Sequence, residues 1–164
     1  PENVAHIKKT LSASRWHNVE LFPIALSDTE SNQDLLVKDS SNTGSAGLSG
    51  VNSRLNDNNC VDKEYTIKTK KLTSILDEKN VDFVDLVKID VEGGEVDIIS
   101  ELGSSLDRIN TIILEFHTDV LTQKDVQDTF QLLNKNGEVT STDGAPIDID
   151  DVLKGNINIV WQSY

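Results

Sequence analysis

Two acids stand at the end of an apolar run. Residues 83–89 are mostly Phe, Val, Leu and Ile, and they lead into Asp90-Val-Glu92 and then Gly93-Gly94-Glu95. A run rich in β-branched residues that leads to a glycine pair reads as a buried strand of a parallel sheet, interrupted by the polar Asp85 and Lys88. After the glycines, Val96, Ile98, Ile99 and Leu102 follow a helical pattern that Gly103 closes. Strand, acidic tip, glycine turn and helix put two carboxylates at the carboxyl end of a strand, where ligands of open α/β sheets gather. A second tip of this kind follows. Residues 109–116 are mostly apolar and end in Glu115-Phe116, with His117 next. Strand alternation sends Glu115 and His117 to one face and Phe116 to the other.

These side chains suit acid–base work. His117 is the most attractive general base near neutral pH; its alternative is a hydrogen-bonded structural role. Asp90 can face a cofactor's amino group, a substrate hydroxyl or a divalent metal, or it can cap the helix beginning at 93–94. Glu92 can act beside it as a base or as an oxygen ligand suited to Mg²⁺. It can equally sit in solvent and favour the helix N-terminus through the dipole. Asp90, Glu92, His117 and Glu115 are the catalytic candidates, and no residue is assigned as a metal ligand. Glu95 reads as structural, Lys88 as a partner for a carboxylate, and Gly93 as the position that needs a left-handed turn.

The elements that position these tips follow from periodicity. Residues 1–14 carry Val4, Ile7 and Leu11 as one helical stripe. Residues 18–26 read as a strand with an awkward Pro23. Residues 35–38 form a short strand, and 64–70 alternate as another that pairs with it. The Ser-, Asn- and Gly-rich stretch 39–59 reads as a long loop, with a brief strand at 46–48. Residues 72–79 and 122–136 are helices, the second with Thr122 as cap, a Val126, Phe130 and Leu133 stripe, and Gly137 at its end. Residues 138–141 and 156–161 are strands either side of an Asp143-Gly144 turn. The βα alternation means a largely parallel α/β sheet with an antiparallel edge.

Composition bounds the partners. The 164 residues suffice for one domain, and a net charge of −13 argues against nucleic acid and against an anionic membrane surface. Cys60 is the single cysteine, so neither a disulfide framework nor a cysteine zinc site arises within the chain. With no apolar run of membrane-spanning length and no visible signal peptide, the expectation is a soluble, cytoplasmic protein.

The stretch Lys88-Ile-Asp-Val-Glu-Gly-Gly-Glu95 resembles the signature of the FkbM family of S-adenosylmethionine-dependent methyltransferases. Three more segments resemble that family in its order: Asn18–Asp28 with Ala25-Leu26 at a strand end, Lys71–Leu76 at a helix start, and Ile112–His117 as the next core strand. The resemblance implies a class I methyltransferase-like (Rossmann-like) three-layer α/β sandwich. It implies an O-methyltransferase acting on a hydroxyl of a small molecule, sugar or glycan, with Ala25, Leu26 and Asp90 toward the cofactor. Pro1-Glu2-Asn3 resembles the family segment that follows a second, acidic strand, so the chain is expected to be a single domain lacking the first two strands and the Gly-rich loop. Strands 18–26 and 83–90 should then either leave a gap or pair directly, and these residues alone should bind the cofactor poorly and aggregate. The competing readings are a Mg²⁺-dependent phosphoryl-transfer or receiver-like domain, and a non-catalytic Rossmann-like binding domain.

Overall fold

The computed structural model describes residues 2–37, 46–49 and 61–164. In order, they form α1 (Glu2–Ala13), β1 (Ala25–Leu26), β2 (Asn32–Val37), β3 (Ala46–Leu48), β4 (Lys63–Lys70), α2 (Leu72–Glu78) and β5 (Val84–Ile89). Then come α3 (Glu95–Leu102), a 3₁₀ segment (Gly103–Arg108), β6 (Ile109–Phe116), α4 (Gln123–Asn136), β7 (Gly137–Ser141), α5 (Ile149–Val152) and β8 (Ile157–Ser163). The strands build two four-stranded sheets, β1-β4-β2-β3 and β5-β6-β8-β7.

The second sheet holds the core. Along β6, Ile112, Leu114 and Phe116 alternate onto one face, and all three are fully buried. The facing stripes are Ile98, Ile99 and Leu102 of α3 and Val126, Phe130 and Leu133 of α4, joined by Ile159 and Trp161 of β8. Thr122 caps α4 by accepting a hydrogen bond from the Asp125 backbone N–H at 3.2 Å. Gly103, at φ 40°, ends α3 and donates its N–H to the Ile99 carbonyl.

Several expectations change here. The sheet is not mostly parallel: only β1–β4 and β5–β6 run parallel, and the other described pairs are antiparallel. The fold is a mixed α/β arrangement of two sheets, not one continuous three-layer sandwich. The strand expected over 18–26 shrinks to Ala25–Leu26. Pro23 has no N–H to give a ladder, and the chain turns there, with the Ile24 N–H bonded to the Phe22 carbonyl. The α1 stripe has no fully buried residue, because Ile7 stays exposed. The four-residue α5, capped by Asp148, has no counterpart in the sequence reading, and most of the 39–59 loop lies outside the described residues. Among the described residues, no helix is long and apolar enough to cross a membrane.

β5 is also less buried than its composition suggests. It pairs only with β6 among the described strands, so of the two outcomes expected for 18–26 and 83–90, direct pairing of β1 with β5 does not occur. Leu86 is 55% exposed on the face away from α3 and α4. An open apolar edge is a template for edge-to-edge pairing. Leu86→Lys is expected to reduce aggregation measured by light scattering while changing stability by no more than about 0.5 kcal/mol. A large fall in melting temperature would show that Leu86 is packed in solution.

Candidate active site

Register decides which side chains meet. β5 and β6 run parallel with Leu86 opposite Thr111, Lys88 opposite Ile113 and Ile89 opposite Leu114. One residue further, Asp90 comes level with Glu115, on the face opposite the core. His117 lies two residues beyond Glu115 on the same face. The two strand tips therefore converge through that register.

The imidazole is the centre of the cluster. His117 is buried, its side chain 6% exposed, with Nε2 3.7 Å from Glu92 Oε1, 3.7 Å from Glu115 Oε1 and 4.0 Å from Asp90 Oδ1. Its other nitrogen, Nδ1, lies 2.7 Å from Glu95 Oε1. The Glu95 oxygens already accept the Gly93 N–H, at 3.1 and 3.0 Å, and Oε1 also accepts the Val91 N–H at 3.3 Å. With the Glu95 oxygens serving as acceptors, Nδ1 is the donor of the pair, and Nε2 faces the three carboxylates. Glu95 is fully buried. Burial of such a carboxyl is tolerable only with this full set of donors.

The turn that carries Glu92 is bent to fit. Glu92 has φ 56° and Gly93 φ 107°. Glycine takes that geometry freely, but a glutamate in the left-handed region costs on the order of 1 kcal/mol or more and persists only where its surroundings impose it. Gly93 is thus the positive-φ glycine expected, whereas the strained Glu92 left no mark in the sequence. Asp90 does not cap α3: the N-cap is Gly94, without a side-chain bond. Instead Asp90 Oδ2 accepts from Lys88 Nζ at 2.6 Å, the carboxylate partnership expected of that lysine. Nearby, burial first, and then the charges of Asp28, Asp125 and Glu95, raise the Asp97 carboxyl above its ordinary range. Its contribution to stability is therefore full below the ordinary carboxylate pKa and is lost as pH rises through the elevated one.

Beside the tips lies a cavity of 450 Å³, lined by Ile24, Ala25, Leu26, Leu48, Val91 and Gly94 among others. Ala25 and Leu26 thus reach the same hollow as the turn that carries Glu92. Its lining is largely apolar.

Fold and site together define an α/β domain with an imidazole–carboxylate cluster at two adjacent strand tips, beside an apolar hollow. Its sequence matches the methyltransferase FkbM domain over residues 2–139, and the chain belongs to that family. It is a methyltransferase domain. No curated protein and no solved structure matches it.

Sequence reasoning missed one contact of the cluster, the Glu95–His117 pair. A glutamate just after a glycine turn, at the first position of a helix, was the available signal.

Proposed function

We propose that this domain is an S-adenosylmethionine-dependent O-methyltransferase that acts on a hydroxyl of a small molecule, sugar or glycan. The two sheets are read as parts of a class I, Rossmann-like arrangement. Both parallel pairs support this, since the end of β1 and the turn after β5 line the same cavity. Ala25 and Leu26 would take the adenine side by apolar and backbone contact, and Asp90 would face the polar part of the cofactor.

Bound S-adenosylmethionine supplies a methyl group already activated on a sulfonium. What remains for the protein is to align an acceptor oxygen and remove its proton. The cluster of Asp90, Glu92, Glu115 and His117 suits that task. The observation that carries the reading is the orientation of His117, with Nδ1 on Glu95 and Nε2 turned toward three carboxylates.

The test is transfer of labelled methyl from S-adenosylmethionine to a panel of sugars and hydroxylated small molecules by the protein carrying this domain. Ether formation is expected. Cofactor binding without transfer to any acceptor would favour the binding-domain reading, and Mg²⁺-dependent phosphate release would favour the phosphoryl-transfer one.

A further inference from the structure

We infer that Asp90, Glu115 and His117 hold a divalent transition metal, of the Mn²⁺ to Zn²⁺ series, in preference to Mg²⁺. The inference deepens the proposed methyl transfer and rests on that reading only for the role of the ion, not for its binding. One ligand atom from each of the three residues lies within 4.8 Å of the others. Ligand atoms about 2.0–2.2 Å from one ion stand roughly 3–3.6 Å apart, so small side-chain rotations close the set.

Acids grouped at a strand tip are not in themselves a site. The independent observation is His117. Its side chain is more than nine-tenths buried, and Nε2 points into the acids from 3.7 to 4.0 Å, too far for a hydrogen bond. Among the described residues it has no hydrogen-bond partner. Nδ1 meanwhile is held by the buried Glu95. A carboxylate behind an imidazole is the outer-shell device that orients a metal-binding histidine and raises its basicity. Asp90 divides its oxygens compatibly: Oδ2 stays on Lys88, and Oδ1 faces the imidazole.

The donor set selects the ion. An imidazole nitrogen with two carboxylates suits the later first-row metals, while Mg²⁺ prefers oxygen throughout and keeps its waters. Three protein ligands leave positions open for an acceptor oxygen, whose proton the ion would make easier to remove. His117 is then committed to the ion, and Glu92 is the group placed to take the proton.

The experiment is titration of the protein with Mn²⁺ alone, followed by electron paramagnetic resonance, with Mg²⁺ as competitor. The expected result is saturable binding of one Mn²⁺ that equimolar Mg²⁺ does not displace. Glu115→Gln should weaken it at least tenfold, and Glu95→Gln, which touches no ion, by about 10–100-fold. Circular dichroism establishes that each variant is folded. Absence of saturable Mn²⁺ binding by the unsubstituted protein, or ready displacement by Mg²⁺, overturns the inference. So does unchanged affinity in a folded Glu115→Gln variant. Methyl transfer by a protein that shows no saturable Mn²⁺ binding would sink the inference and leave the proposed function standing. Mn²⁺ binding without methyl transfer would do the reverse.

Discussion

Glu95→Gln is expected to lower methyl transfer by about 10–100-fold and to cost about 1–3 kcal/mol of stability. The side chain is nearly the same size, so neither effect comes from volume. Glu95 offers acceptors only, and it receives the Val91 N–H, the Gly93 N–H on both oxygens and the His117 ring. In glutamine one of these oxygens becomes an NH₂ group, which donates. Either the Gly93 N–H or the His117 Nδ1–H then meets a donor at a fully buried side chain. If the amide turns its oxygen to Gly93, the imidazole loses its anchor and the preferred hydrogen position. Rate measurement and thermal melting together separate the roles. A positioning residue loses rate per folded molecule and shifts the pH profile of kcat. A variant that melts lower yet keeps both would make Glu95 structural only.

Gly137→Ala should destabilise the fold by about 3 kcal/mol, at the upper end for overpacking, and lower the melting temperature by roughly 6–12 °C. The glycine joins α4 to β7, and sequence reasoning expects it there as a helix stop. Its φ of −174° is extended backbone that any residue adopts, so conformational freedom is not what requires glycine. Space is. A Cβ on residue 137 would overlap the Gln162 carbonyl oxygen and the indole nitrogen of Trp161. Trp161 is fully buried, and its Nε1–H is bonded to the Leu133 carbonyl at 2.8 Å. Relief would mean parting β7 from β8 or breaking that bond and displacing the indole from the core. Calorimetric or denaturant unfolding of the variant checks this, and a loss below about 1 kcal/mol would show that the β7–β8 ladder yields more easily than its packing implies.

The elements legible from the chain are those whose periodicity is long and one-sided. β6 and α4 fall within a residue of expectation, because five apolar positions among eight and a Val126, Phe130 and Leu133 stripe admit one burial pattern each. The hairpin-like pairing of β2 with β4 was readable for the same reason. Where a local feature opposed the pattern, the local feature won: Pro23 cut the strand at 18–26 to two residues. The four-residue α5 is too short for a period to show.

The site divides in the same way. Residue types, strand-tip position and, for Asp90, the family-like motif chose Asp90, Glu92, Glu115 and His117, and alternation put the last two on one face, since that needs only the two-residue repeat of a strand. Their convergence needed more. The parallel register of β5 on β6 brings Asp90 level with Glu115, the left-handed turn at Glu92 brings its carboxylate within reach of His117, and Glu95 closes on an imidazole 22 residues away. A strand's own pattern says which face a side chain takes. How far two strands slide along each other, and what a turn beyond them swings into place, depends on contacts distant in sequence, and only the folded chain makes those.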